Sequence, residues 1–98
     1  MPIASFKDKI TEEINYGRFS KRTQRVLPAH LQQKAQIKLA ILGAAASLND
    51  LAELRGNRLE ALKGDRSGQH SIRINDQYRV CFKWTGSDAE DVEITDYH

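Results

Sequence analysis

The chain has 98 residues, with 15 Lys and Arg against 13 Asp and Glu, for a formal net charge of +2. That length holds one small domain, residues 1–98, and leaves no room for a dinucleotide domain beside a substrate domain or for a barrel enzyme. With 40% hydrophobic and 29% charged residues the composition is globular, neither disordered nor collagen-like, and no apolar run approaches the ~20 residues of a membrane helix.

The first residues, Met-Pro-Ile-Ala-Ser-Phe-Lys-Asp-Lys, carry both signs of charge too early for a signal peptide. Ile3 to Phe6 is apolar and predicts a short strand. Residues 10–16 predict a weak helix, which Gly17 ends. Residues 18–27 read as a basic connection. Pro28 sits where the first turn of a helix tolerates it. Leu31, Ala35, Leu39, Leu42 and Ala46 then recur at three and four residues, with Ile37, Ile41, Ala45 and Leu48 widening the stripe. This spacing predicts a long helix over residues 28–46, continued by further turns through Leu54. Gly56 closes the helical half.

After Leu62 the period changes to two. His70, Ile72 and Ile74 alternate with Ser71, Arg73 and Asn75. Tyr78, Val80, Phe82 and Trp84 alternate with Arg79, Cys81 and Lys83, and Val92 and Ile94 with Glu93 and Thr95. Three half-buried strands at hairpin spacing follow. The fold class is therefore α+β, with N-terminal helices packed on one face of a small antiparallel sheet.

Register decides which residues meet. A two-residue turn at Asn75-Asp76 would set Ile72 against Arg79 and put a cation on the core face. A three-residue loop, Asn75-Asp76-Gln77, pairs Ile74 with Tyr78, Ile72 with Val80 and Arg73 with Arg79. Apolar matching then pairs Phe82 with Val92 and Val80 with Ile94, so Arg79 faces Thr95 with Tyr97 on its diagonal. The open face should carry Arg73, Arg79, Thr95 and Tyr97 together. Two opposed arginines repel, and forked guanidinium groups hold phosphate well, so the pair suits an anion. Alternatively, Asp76 and Asp96 neutralise it. Read as an open-face residue, Arg79 should cost on the order of 0.5 kcal/mol of stability when removed.

Charge placement adds to this. Between positions 18 and 38 stand six basic residues (Arg18, Lys21, Arg22, Arg25, Lys34, Lys38) and no acidic one. Between positions 88 and 96 stand five acidic residues and no basic one. The basic stretch, Arg22 and Arg25 included, suits a polyanion such as nucleic acid, or is simply a solvated helix face. Lys63 to Gly68 links the halves and brings Lys63 and Arg66 near the strand entrance. It is a surface turn or a site, and lacks the glycine order of a P-loop. Asp96 and His98 share a side of the last strand, where a carboxylate can orient an imidazole. The alternative there is a frayed terminus. His30 and His70 read as structural. Tyr16, Phe6, Phe19 and Trp84 read as packing, and Cys81 as a strand residue rather than a nucleophile. A lone cysteine makes a reducing cytoplasm the expected location, and no metal-ligand spacing or cofactor motif is present in the sequence.

The second half resembles the HigB-type toxins of bacterial toxin–antitoxin systems, a branch of the RelE superfamily. The residues that carry this are Leu59-Glu-Ala-Leu-Lys63-Gly-Asp-Arg66, then Ser71-Ile-Arg-Ile-Asn-Asp-Gln-Tyr78-Arg79-Val-Cys-Phe-Lys-Trp84, then Val92-Glu-Ile-Thr-Asp96-Tyr97-His98. Ile3-Ala-Ser-Phe-Lys and the Pro28-Ala-His30 helix start extend the resemblance over nearly the whole chain. It implies a RelE-like fold and a ribosome-dependent endonuclease that cuts messenger RNA in the ribosomal A site. It also implies a cognate HigA-like helix-turn-helix antitoxin that holds the toxin inactive. By the same resemblance Lys63 is the active-site lysine, Arg79 the phosphate-contacting arginine, and Asp96, Tyr97 and His98 the C-terminal catalytic segment. Some members carry a histidine where this chain has Glu60.

The chemistry so implied uses the RNA's own 2′-OH as nucleophile, without a metal. It needs a base, an acid for the leaving 5′-oxygen, and cations for the phosphorane. Arg79 with Arg73 can supply charge, and Lys63 charge or a base. His98 alone has an ordinary pKa near neutrality. Two other readings use the same scaffold: a ParE-like toxin that acts on DNA gyrase without cutting RNA, and an RNA-binding domain without catalysis. Neither calls for an acid/base set.

Overall fold

The computed structural model describes residues 2–96. Asp8 caps the first helix, α1 (Lys9–Asn15), by accepting from the Thr11 N–H at 2.7 Å. The basic connection expected next contains a helix of its own, α2 (Lys21–Gln24). Ser20 and Thr23 form a reciprocal capping box that starts this turn between the cations. The long helix, α3, runs Ala29–Ala44 after Pro28. It does not continue through Leu54. Ala45 turns extended at ψ 141°, and a separate helix, α4 (Leu48–Glu53), begins under the Ser47 cap. Asp50 closes this break by accepting from the Ala46 N–H at 2.9 Å. Leu31, Ala35, Leu39 and Leu42 are the buried face of α3, whereas Ile37 and Ala46, expected in or beside the stripe, are exposed.

A 3-10 turn over Arg55–Asn57 leads to the sheet. The sheet has four strands rather than three: β1 (Glu60–Ala61), β2 (Gln69–Arg73), β3 (Tyr78–Trp84) and β4 (Ala89–Asp96), antiparallel in that order. The expected register of the first hairpin holds, with Ile72 opposite Val80 and Arg73 opposite Arg79. Asn75 builds the loop by accepting from the Gln77 and Tyr78 N–H groups, while the Ile74 N–H bonds the Tyr78 carbonyl at 2.9 Å. In the second hairpin Arg79 faces Thr95 and Val80 faces Ile94. Between Cys81 and Lys83 the ladder slips, so Asp91 and Val92 together stand against Phe82. Asp91 is the extra residue of this bulge, at φ 50°.

The N-terminal segment lies parallel to β4, but as two isolated bridges, Ile3–Ala89 and Phe6–Val92, and not as the strand expected. The bulge at Asp91 re-aims the β4 edge between those bridges and interrupts the ladder there.

The core lies between helices and sheet. Ile14, Leu27, Leu39, Leu42 and Leu51 come from the helical side, and Ile72, Ile74, Val80, Phe82 and Val92 from the sheet. Half-buried His70 stacks on Phe82 at 6.1 Å between ring centroids, a packing role. One polar side chain closes the seam between the layers. Asn57 is fully buried, accepts from Lys38 Nζ at 2.8 Å and donates to the Leu51 carbonyl at 3.1 Å. Asn57→Ala strands both partners and should lower stability by about 1–3 kcal/mol. Urea unfolding of wild type and variant measures this as a lower midpoint at unchanged slope.

Candidate nucleic-acid interface and active site

The face of the sheet turned away from the helices carries Ser71 and Arg73 from β2, Arg79 and Cys81 from β3, and Glu93 and Thr95 from β4. Period-two alternation alone puts them there. Long side chains cover its middle, so Ser71 and Cys81 are fully buried.

Arg79 is central to this face. Its Nε donates to Ser71 Oγ at 2.7 Å, and its Nη2 donates to the Ser71 carbonyl at 3.3 Å and to the Arg58 carbonyl. The Glu60 carboxylate stands 3.8 Å away, and the side chain is only 11% exposed. The expectation that Arg79 is nearly free of structural cost is therefore corrected. Its removal would leave a buried hydroxyl and a carbonyl without a donor. Arg58 reaches it through a left-handed backbone, φ 43° and ψ 56°, a conformation that a residue with a Cβ adopts at some cost. Among the described residues the Nη1 edge of Arg79 has no hydrogen-bond partner, and it presents two N–H groups.

Arg73, opposite Arg79, is ion-paired with Asp76. The hydrogen bond and charge of Arg73 hold the Asp76 carboxyl below the usual carboxylate range, and Arg58 and Lys34 act in the same direction. Arg66, half-buried, donates to Glu93 Oε1 at 2.6 Å and to Gln69 Oε1 at 3.1 Å. Lys63 is exposed after β1, where its carbonyl accepts from the Arg66 N–H at 3.2 Å. Asp96 stands opposite Tyr78 at the end of β4, so alternation sends its side chain to the face opposite Arg79, and it accepts from Gln77 Nε2 at 3.0 Å. Tyr97 and His98 lie outside the described residues.

The structure thus brings Arg66, Arg73 and Arg79 to one face and Lys63 to the turn after its edge strand, but it does not bring Asp96 to them. The expected grouping of Asp96 with Arg79 is corrected, because Asp96 pairs with Tyr78 and its side chain leaves on the other face. Arg22 and Arg25 stand elsewhere, on and just after α2 in the helical layer. Arg22 pairs with Glu13 of α1 at 3.2 Å, and Arg25 is exposed. Reading residues singly overlooked Ser71 and Arg58. The alternation that places Arg73 also places Ser71 beside Arg79. Nothing local marks the carbonyl of Arg58. The acidic stretch of β4 has partners within the chain: Glu93 with Arg66 and Lys7, and Asp91 with Lys83. Lys7, Lys83, Asp91 and Glu93, with Phe6 and Gln69, line a cleft of about 280 Å³ on the same face.

Cys81 lies between these cations. Burial pushes its thiol up, an effect that the Thr95 hydroxyl, Arg66 and Arg79 offset in part and Glu93 reinforces. A protonated, buried thiol is a poor nucleophile. A thiol reagent at neutral pH should leave the native protein unmodified and titrate one thiol per chain in denaturant. Rapid labelling of native protein would show that this face opens.

The site is rich in cations and hydroxyls, and groups of three or more His, Cys, Asp or Glu side chains able to hold a metal are absent among the described residues. Forked guanidinium groups of this kind can hold an anion such as phosphate. A family model described as the RelE-like toxin of type II toxin–antitoxin system HigB matches residues 4–98. The chain is 42% identical over 79 residues to Toxin HigB-1 of Vibrio cholerae, covering 81% of this chain and 80% of that one. It is 29% identical over 96 residues to Endoribonuclease HigB of Proteus vulgaris, covering 98% and 99%. A solved YoeB/ParE toxin from Agrobacterium tumefaciens aligns over 100% of both chains with a TM-score of 0.53 at 16% identity, a likeness of fold. Among the described residues no helix is long and apolar enough to cross a membrane.

Proposed function

Because the chain belongs to the HigB-like toxins of type II toxin–antitoxin systems, a branch of the RelE superfamily, we propose that it is an endoribonuclease that cuts messenger RNA in the A site of the ribosome. Its partner in this reading is a HigA-like helix-turn-helix antitoxin, and its place is the cytoplasm, where ribosomes work. The observation that carries the proposal is the Arg79 guanidinium, held by Ser71 and the Arg58 carbonyl with one N–H edge left for a ligand. The relative from Proteus vulgaris, named as an endoribonuclease, supports the reaction type.

The reaction moves few atoms. The 2′-oxygen forms a bond to the adjacent phosphorus and gives its proton to a base. The 5′-oxygen leaves with a proton from an acid, and a 2′,3′-cyclic phosphate remains. Arg79 holds the charge that builds on the non-bridging oxygens, with Arg73 beside it. Lys63 adds charge or takes the proton. His98 is assigned the proton exchange, and Tyr97 stacking on a base or positioning of a phosphate. Arg66, Arg22 and Arg25 are assigned to RNA backbone.

Programmed ribosomes carrying end-labelled message test this. The expected products have a 5′-hydroxyl and a 2′,3′-cyclic phosphate or 3′-phosphate. A 5′-phosphate with a 3′-hydroxyl would rule out attack by the 2′-OH. Intact message beside inhibited gyrase would move the function to the ParE-like reading.

A further inference from the structure

The turn over Arg55–Asn57 is gripped from two sides. Lys38 of α3 donates to Asn57 Oδ1 at 2.8 Å, and Arg79 of β3 donates to the Arg58 carbonyl. This grip draws cations of the helical layer round the sheet edge to meet those of the open face. Lys34 and Arg73 lie close enough to Lys38 to pull its ammonium below the ordinary lysine range, after burial, the larger cause. Arg58 and Lys34 likewise act on Asp76, behind Arg73. Lys34, Lys38, Arg58, Arg73 and Arg79 thus gather at one edge, where Asp76 pairs with Arg73 and Glu60 stands beside Arg79.

Crowding five cations at one edge does not help the chain fold, because like charges repel. The carboxylate that pairs with Arg73, and on which Arg58 and Lys34 also act, is Asp76, whose side chain is 98% exposed. An exposed pair of this kind contributes little to stability and is easily exchanged. A phosphodiester brings two non-bridging oxygens to the same cations and is the better match for their forked and ammonium donors. Arg73 stands directly opposite Arg79. A single strand with one phosphate on Arg79 therefore carries a neighbouring phosphate over Arg73.

We propose that Lys34, Lys38, Arg58 and Arg73 form a second phosphate site, which Asp76 occupies in the RNA-free protein and an RNA phosphodiester takes over on binding. Asp76 is then an internal competitor that weakens RNA binding. The ligand's identity rests on the RNA-cutting reading; the site itself does not.

Two variants of opposite expected effect test it, with every substitution at an exposed side chain. Asp76→Asn should tighten binding of a fluorescent single-stranded RNA oligonucleotide about threefold or more at low salt. Lys34→Gln with Arg58→Gln should weaken it about tenfold and make the log–log salt slope shallower by ~1.4, two contacts at ~0.7 each. Arg58 engages Arg79 through its carbonyl, so the side-chain change leaves that bond in place. If the double variant does not fold, Lys34→Gln alone should lower the slope by ~0.7. Charge-matched controls, Asp88→Asn and Lys9→Gln with Lys83→Gln, should do neither. Unchanged binding by Asp76→Asn, or controls that act as strongly as the test variants, would overturn the site. Repeating the series with vacant ribosomes tells the source of the phosphate: a loss confined to the oligonucleotide assigns the message, and a loss in both assigns ribosomal RNA as well. Variants that show these shifts beside a wild type that leaves message intact on programmed ribosomes would remove the nuclease reading and keep the site. A protein that cuts while its variants bind RNA like wild type would do the reverse.

Discussion

Arg79→Ala should lower single-turnover cleavage of ribosome-bound message by about 10²–10³-fold, the usual loss when one donor to a developing oxyanion is removed. Growth inhibition should disappear with it. The same change should also cost stability, about 1–3 kcal/mol, because Ser71 Oγ and the Arg58 carbonyl lose the donor they share. Both effects must be measured, by cleavage and by urea unfolding, so that lost activity is not merely lost fold. Arg79→Lys separates them further. It keeps the positive charge but not the fork that reaches Ser71 and Arg58 while leaving an edge for phosphate. It should cut more slowly than wild type even where fully folded. A folded Arg79→Ala protein that cuts at the wild-type rate would remove Arg79 from the reaction and leave it a structural clamp between β3 and the turn before β1.

His98→Ala should lower cleavage by about 10²-fold or more, the scale of general acid–base catalysis. The argument is one of proton affinity. Of the residue types assigned to the site, imidazole is the one that as a free side chain exchanges its proton near neutrality, at about pH 6.5. The variant should therefore also lose the limb of the pH–rate profile that lies near neutrality. Thermal melting of the two proteins should coincide, which a structural role for His98 would not allow. Equal rates and an unchanged profile would make His98 a spectator and pass the proton transfer to Lys63, Asp96 or Tyr97.

Much of this framework follows from local pattern. A period of two leaves β2 and β3 only one cheap register, because a slip by one residue would set Arg79 beside Ile72 on the core face and turn Val80 and Phe82 out. The sequence therefore determined by itself that Arg73 meets Arg79 and that Arg79 meets Thr95. The spacing of Leu31, Ala35, Leu39 and Leu42 determined the buried face of α3 in the same way. The family motifs around Lys63, Arg79 and Asp96 belong to this local kind. Tertiary structure decided the rest. β1 has two residues, too few for any periodicity, and forms because β2 offers it a free edge. The bulge at Asp91 appears where β4 must pair with Phe82 on one side and with the N-terminal segment on the other. Most of all, the setting of Arg79 depends on Ser71, eight positions away, and on the carbonyl of Arg58, 21 positions away. Alternation within a strand is a property of neighbours and can be read from them. A hydrogen bond across such separations exists only once the intervening loop has closed, and its closure depends on packing of the whole chain.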